Sequence, residues 1–131
     1  MKYLLDTDTI IYYLKGRESV KQKIINAGLK ELSISIITLF ELYYGAYNSN
    51  NVQKNTKRIE TLKNTITVLE IDDSLFHQFG KIKSVLKKSG QGIGDFDLII
   101  GITSLSKSLI LVTNNTKHFQ RIDGINIENW Y

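Results

Sequence analysis

Three acidic residues lie in stretches of the chain that are otherwise apolar. Asp6 ends the run KYLLD, Glu41 lies within ITLFELYYG, and Asp97 opens the helical pattern FDLIIGITSL. Carboxylates that meet in a poorly hydrated cleft repel one another, so they require either protons or a cation. Hard oxygen ligands suit Mg²⁺ or Mn²⁺, which bind through a few carboxylates and keep several waters. The sequence therefore predicts a divalent-metal site built from these three acids.

Helix capping is the alternative role for several acids in these regions. Asp6 and Asp8 can each cap a helix that begins near Thr9, and Asp95 can cap the helix that follows it. For Asp8 and Asp95 we favour capping over direct metal binding. Glu41 is harder to explain structurally, because its surroundings are mostly leucine, phenylalanine and tyrosine. Its alternative is pairing with a buried Tyr or Lys.

The remaining composition excludes other kinds of site. The chain has no cysteine, so a disulfide framework, a zinc–thiolate centre and a cysteine nucleophile are excluded. His77 and His118 have no context that indicates a triad, and His77, beside an apolar stripe, is expected to be a partly buried helix residue. Asp6 interrupts the N-terminal run too early for a signal peptide, and the longest apolar stretch is too short to span a bilayer. We expect a soluble cytoplasmic protein.

Short apolar runs alternate with longer helical patterns, which predicts an α/β sheet in one domain spanning residues 1–131. In an open parallel sheet, ligands bind beyond the carboxyl ends of the strands. Asp6 lies at such an end, and the helices that carry Glu41 and Asp97 can face the same crevice. The predicted strands cover 2–6, 32–36, 66–71, 109–112 and 125–127, and the predicted helices cover 9–14, 20–28, 38–47, 51–64, 75–86 and 97–106.

The charge distribution suits a nucleic-acid partner. The chain has 17 Lys and Arg against 13 Asp and Glu, a net charge of +4, and its basic residues concentrate in the stretches 15–30, 54–63 and 81–88. An acidic centre with a basic surround suits a metal-dependent nuclease, because basic side chains follow the phosphate backbone. Solvated helix faces are the alternative explanation for these stretches.

At these residues the sequence resembles the PIN-domain ribonucleases, and among them the VapC-type toxins of bacterial and archaeal toxin–antitoxin pairs. Four ordered blocks carry the resemblance: LLDTDTIIYYLKG, SIITLFELYYGA, IGDFDLIIGITSLSKSLILVTNN and HFQRIDGINIENW. The resemblance implies a three-layer α/β/α sandwich with a mainly parallel sheet. It also implies a Mg²⁺- or Mn²⁺-dependent endoribonuclease that cuts RNA, with tRNA as the first substrate to test, and so inhibits translation. A neutralising VapB-like antitoxin is a further implication.

Matched by position, the family's catalytic and metal-binding acids fall on Asp6, Glu41 and Asp97. Two positions depart from the usual pattern. Asp8 stands where Asn is usual, and Asn115 stands where the wider superfamily has a fourth acid, which weakens the case for a second tightly held metal. The resemblance assigns supporting roles to Thr7, Asp8, Asp95, Thr113 and Asn115.

Two other functions fit part of the pattern. A phosphatase of the haloacid-dehalogenase type would use Asp6 and Asp8 after an apolar strand, with LILVTNN as its Thr-bearing strand. The order of its motifs is reversed here, however, because IGDFD precedes LVTNN, and Glu41 would have no role. A non-catalytic module that binds nucleic acid or a partner protein is the other alternative, and the presence of all three acids argues against it.

The predicted helix over 38–47 carries more apolar surface than one core face can take. We expect this region, with the weak helix after it, to form a groove for an antitoxin helix and part of a homodimer contact. Its large apolar residues are Leu39, Phe40, Leu42, Tyr43, Tyr44 and Tyr47.

Overall fold

A five-stranded parallel sheet forms the centre of the computed structural model, which describes all 131 residues. The spatial order is β3-β2-β1-β4-β5, and every neighbouring pair is parallel. The predicted parallel sheet is confirmed, and each strand overlaps its predicted range. The strands are β1 (Tyr3–Leu5), β2 (Leu32–Ser35), β3 (Thr67–Leu69), β4 (Ile110–Val112) and β5 (Ile127–Glu128).

Seven helices surround the sheet, and six of them correspond to predicted helices. The seventh, α7, was not predicted, because a helix of four residues is too short to show a 3.6-residue periodicity. None of the helices is long and apolar enough to cross a membrane. The helices are α1 (Thr7–Leu14), α2 (Glu18–Ala27), α3 (Ile36–Tyr47), α4 (Val52–Thr65), α5 (Phe76–Lys88), α6 (Asp95–Ser106) and α7 (Thr116–Phe119).

The alternation of side chains along β1 and β4 divides the core into two layers. Leu5 and Val112 face a cluster packed by α1 to α4, whereas Leu4 and Leu111 face a cluster packed mainly by α5 to α7. All four side chains are fully buried. Central strands covered on both faces carry continuous apolar runs, which explains the runs in the sequence. The expected α/β/α sandwich is confirmed.

The strand order places a crevice at the centre of the sheet. The chain proceeds from β1 outward to β2 and β3 on one side, then returns to β4 and β5 on the other. A change of direction of this kind opens a crevice at the carboxyl ends of the strands. Leu5 pairs with both Ile34 and Val112. The residues that follow these three, namely Asp6, Ser35 and Thr113, therefore end their strands at the same level.

The residues at which α1 and α6 begin show that two predictions about capping were wrong. Asp6 is the cap of α1, but this helix begins at Thr7 and not near Thr9, so Asp8 lies inside its first turn. The cap position of α6 is Gly94, and Asp95 is the first helical residue, without a capping hydrogen bond. Capping by Asp8 and Asp95 was therefore wrong. The burial predicted for His77 was also wrong, because this residue is exposed on α5.

Candidate active site

Asp6 is held at the end of β1 by two hydrogen bonds. Its Oδ1 accepts from the backbone N–H of Thr7 at 2.8 Å, and its Oδ2 accepts from the hydroxyl of Thr113, beyond β4, at 2.8 Å. The residue is 5% exposed. No Lys, Arg or His forms an ion pair with it.

The surroundings of Asp6 disfavour its charged form. Burial is the largest cause, followed by the charge of Asp8, and the charge of Asp97 adds to them. The hydrogen bonds from Thr113 and Thr7 act in the opposite direction. Together these effects raise the pKa of Asp6 from 3.8 to about 7. Such a carboxyl group is stabilised when it binds either a proton or a cation.

Glu41 joins this site through the residue next to Asp6. It is the sixth residue of α3, which leaves the end of β2 with Ser35 as its cap. The hydroxyl of Thr7 donates to Glu41 Oε1 at 2.7 Å and lies 3.0 Å from the hydroxyl of Thr38. The partner of Glu41 is therefore a threonine of the site and not a buried Tyr or Lys.

Asp97 enters from the first turn of α6 and meets a residue that sequence reasoning did not assign to the site. Its Oδ2 lies 3.2 Å from Nε2 of His118, on α7. The N–H direction at Nε2 misses this oxygen, so the buried nitrogen has no hydrogen-bond partner. In the sequence, His118 lies three residues after Asn115 and opens the block HFQRIDGINIENW.

The loop after β4 binds Asp8 and completes the rim. Asp8 Oδ2 accepts from the backbone N–H of Asn114 at 3.1 Å and lies 3.4 Å from the Thr113 hydroxyl. Asn115 donates its backbone N–H to Thr113 Oγ1 at 3.0 Å, and its exposed side chain forms no hydrogen bond. Sequence reasoning missed Asn114, whose side chain contacts the hydroxyl of Tyr12.

Asp95 is directed away from this cluster. Its Oδ1 forms an exposed ion pair with Lys83 Nζ of α5 at 2.7 Å. Asp97 lies two residues further along the same helix, and side chains at this spacing do not share a face. The structure thus brings Asp6, Glu41 and Asp97 to one edge of the sheet and leaves Asp95 outside.

The type and charge of the donors fit a hard divalent cation. Asp6, Asp8 and Glu41 have no cationic partner among the protein's side chains. No three acidic or imidazole side chains are close enough, as they stand, to enclose a metal ion. Mg²⁺ needs only one or two protein carboxylates and retains several waters, so the cluster fits a largely hydrated ion.

Comparisons with known proteins agree with this geometry. The PIN domain family model matches residues 3–125. "Ribonuclease VapC2" of Haemophilus influenzae is 37% identical over 130 residues, 99% of this chain and 98% of the relative. The "tRNA(fMet)-specific endonuclease VapC" of Shigella flexneri is 35% identical with the same coverage.

Solved structures agree with the sequence matches. The crystal structure of DNA-bound VapBC from Salmonella typhimurium contains a chain with a TM-score of 0.92 and 35% identity, covering 100% of this chain and 99% of that chain. VapBC2 from Rickettsia felis, bound to a promoter DNA fragment, gives a TM-score of 0.91 at 28% identity, with both chains fully covered. The chain is therefore a member of the PIN domain family and, within it, of the VapC ribonucleases.

Proposed function

We propose that residues 1–131 form a single-domain, divalent-metal-dependent endoribonuclease that acts as the toxin of a toxin–antitoxin pair. The convergence of Asp6, Glu41 and Asp97 at the carboxyl edge of β1 and β2 supports this function most directly. Asp6 is buried there without a cationic partner. The raised pKa of its carboxyl group means that the charged form is disfavoured unless a cation binds nearby.

Asp6, Glu41 and Asp97 are the residues that would hold Mg²⁺ or Mn²⁺. When bound, such an ion polarises a phosphate oxygen and makes water a better nucleophile. Thr113 holds Asp6 Oδ2 and Thr7 holds Glu41 Oε1, so both carboxylates are oriented before RNA binds. The oxygen of water attacks phosphorus in line as the bond to the ribose 3′-oxygen breaks. The attacking water loses a proton and the departing 3′-oxygen gains one, so the products are a 5′-phosphate and a 3′-hydroxyl.

We propose initiator tRNA, in the cytoplasm, as the substrate. A relative at 35% identity is named a tRNA(fMet)-specific endonuclease, and the net charge of +4 favours a polyanionic partner. The test incubates purified protein with a tRNA pool and Mg²⁺ and sequences the new 5′-phosphate ends. Cleavage that stops on addition of EDTA supports the proposal. RNA binding without cleavage would favour the non-catalytic module, and an aspartyl-phosphate at Asp6 trapped with a phosphate mimic would favour the phosphatase.

The partner we propose is an antitoxin whose helix lies in a groove between α1, α3 and α4. This groove has a volume of about 330 Å³. Its large apolar lining residues are Ile11 and Leu14 of α1, Leu42 of α3 and Ile59 of α4, and Glu41, Lys15 and Arg58 add charged groups. Apolar side chains suit one face of an amphipathic helix. Glu41 connects the groove to the acid cluster, so a helix bound there can extend a side chain to the site.

An antitoxin bound in this way is expected to direct an Arg or Lys toward Asp6, Glu41 and Asp97. The cationic group supplies the charge that the metal otherwise provides. Excess Mg²⁺ should then weaken inhibition, measured as RNA cleavage by the complex across a Mg²⁺ titration. Monovalent salt at matched ionic strength is the control. Inhibition that does not respond to Mg²⁺, in a complex whose basic side chains all lie far from the acids, would contradict this prediction.

The exposed face of α3 is the proposed homodimer contact. Phe40, Tyr44 and Tyr47 are 63%, 73% and 69% exposed, whereas Leu39 and Leu42 of the same helix are buried. We expect the wild type to sediment as a dimer and the double variant Phe40→Lys/Tyr44→Lys as a monomer, since two desolvated cations would oppose association. Val85→Lys, at an equally exposed apolar site on α5, is the control and should remain dimeric. A monomeric wild type would contradict the proposal.

A further inference from the structure

The imidazole of His118 has no role in the function proposed so far, although its environment is unusual. Nε2 is inaccessible to solvent, has no hydrogen-bond partner, and lies 3.2 Å from Asp97 Oδ2. The ring meets that of Phe119 edge to face, with the centroids 5.7 Å apart. A buried polar atom without a partner costs free energy, so its presence in a native structure calls for a specific explanation.

Asp97 determines which form of the imidazole is stable. A carboxylate oxygen offers only lone pairs, and an unprotonated Nε2 would place another lone pair against it at 3.2 Å. The contact is attractive only when Nε2 carries a hydrogen, as it does in one of the two neutral tautomers. The distance of 3.2 Å is already within hydrogen-bond range, so the contact lacks only the alignment of this N–H with Oδ2. Hydrogen bonds in active sites without ligand are often poorly aligned in this way.

The backbone around His118 is held tightly against the helix that carries Asp97. Gly101 of α6 has no Cβ, and a Cβ built there would lie 2.5 Å from Ile122 Cδ1 and 3.3 Å from Phe119 Cδ1. Both of these side chains are buried. This close packing places α7 directly on α6 and keeps His118 beside Asp97.

The three acids then share a common pattern of support. Asp6 accepts from Thr113 and Glu41 accepts from Thr7, so each has one uncharged hydroxyl donor from another element. Asp97 is the remaining acid, and Nε2 of His118, 3.2 Å from its Oδ2, lies where a donor would complete the pattern.

We infer that His118 is a positioning residue, which holds the carboxylate of Asp97 in the orientation that binds the divalent ion and so sets the metal affinity of the site. This inference rests on the proposed function. Loss of a hydrogen-bonding partner behind a ligand typically lowers metal affinity or activity by about 10- to 100-fold.

The test compares the only two histidines of the chain. The dissociation constant of Mn²⁺ is measured from the rise in melting temperature during a Mn²⁺ titration, without RNA present. His118→Leu should weaken Mn²⁺ binding by about 10- to 100-fold and regain most RNA cleavage at high Mn²⁺. His118→Gln retains an N–H donor and should lie closer to the wild type. His77→Leu, exposed on α5, is the matched control and should leave Mn²⁺ binding unchanged.

A second measurement needs no variant of His118. In the metal-free wild type, NMR of ¹⁵N-labelled histidine should detect an Nε2–H at His118 that exchanges slowly with water, and Asp97→Ala should abolish this protection. A bare Nε2 in the wild type would overturn the inference. A His118→Leu variant that melts earlier but binds Mn²⁺ as tightly as the wild type would also overturn it. A wild type that neither binds Mn²⁺ nor cuts RNA would instead overturn the proposed function, and the inference with it.

Discussion

Replacement of Asp97 by asparagine is expected to abolish RNA cleavage without harming the fold. Asp97 supplies one of the three carboxylates proposed to hold the metal. A metal ion stabilises the transition state by several kcal/mol, so loss of the ion should slow cleavage roughly a thousandfold. The rise in melting temperature on addition of Mg²⁺ should also disappear, since it reports binding to the folded state. Without metal, the variant should be at least as stable as the wild type, because Asp97 repels Asp6.

Asp95→Asn is the matched control for this experiment, since it makes the same chemical change two residues away. The ion pair between Asp95 and Lys83 is exposed, with the carboxylate 57% accessible, and such pairs contribute only about 0–1 kcal/mol. Asp95→Asn should therefore keep substantial activity and the full stabilisation by Mg²⁺. Cleavage of a tRNA pool and thermal melting with and without Mg²⁺ measure both properties. An inactive Asp95→Asn together with an active Asp97→Asn would reverse the assignment.

The metal-free protein is expected to gain stability from Asp6→Asn, and this gain should grow as the pH rises. The pKa of Asp6 is about 7 in the folded protein, against 3.8 as the ordinary value. Between these values the folded state binds more protons than the unfolded state, so the Asp6 contribution to the free energy of unfolding falls with rising pH. Asparagine has no such titration. Its Oδ1 can still accept from the backbone N–H of Thr7, and its Nδ2–H can donate to the hydroxyl of Thr113. The difference in free energy of unfolding between the variant and the wild type should therefore grow by about 2–4 kcal/mol from pH 4 to pH 8.

Urea denaturation in EDTA at several pH values measures this difference. Added Mg²⁺ should stabilise the wild type most above pH 7, because below it a proton competes for Asp6, whereas the Asp6→Asn variant should respond little. A stability difference that does not change between pH 4 and pH 8 would show that Asp6 does not titrate in this range. Asp72→Asn is a useful control, since Asp72 is an exposed acid whose pKa is lowered by its hydrogen bonds with Ser74 and which lies outside the site.

The strands and the three acids of the candidate site were predictable because both depend on local sequence patterns. β1 and β4 are short apolar runs, and their burial on both faces follows from their place at the centre of a parallel sheet. The acids Asp6, Glu41 and Asp97 stood out for the same reason, since each interrupts an apolar stretch. The excess apolar surface of α3 was likewise predictable from composition, and Phe40 and Tyr44 are indeed exposed.

Other features depend on contacts between distant parts of the chain. The hydrogen bond between Thr113 and Asp6 spans 107 residues and requires β1 and β4 to pair, which no local pattern reports. Asp8 and Asp95 looked like caps because their helix starts were placed too late. His118 was missed because α7 is short and because its partner, Asp97, lies 21 positions earlier in the chain. For Thr113 and His118 the deciding interaction is tertiary.

The pairing of β1 with β4 also determines when the site can first exist during translation. Asp6 is synthesised 107 residues before Thr113, whose hydroxyl it requires. A ribosome-bound chain that lacks β4 leaves one edge of β1 unpaired and Asp6 without the hydroxyl that orients it. The proposed site is thus incomplete until β4 and Thr113 have left the exit tunnel. We therefore expect the proposed ribonuclease site to be inactive while the ribosome is still making β4.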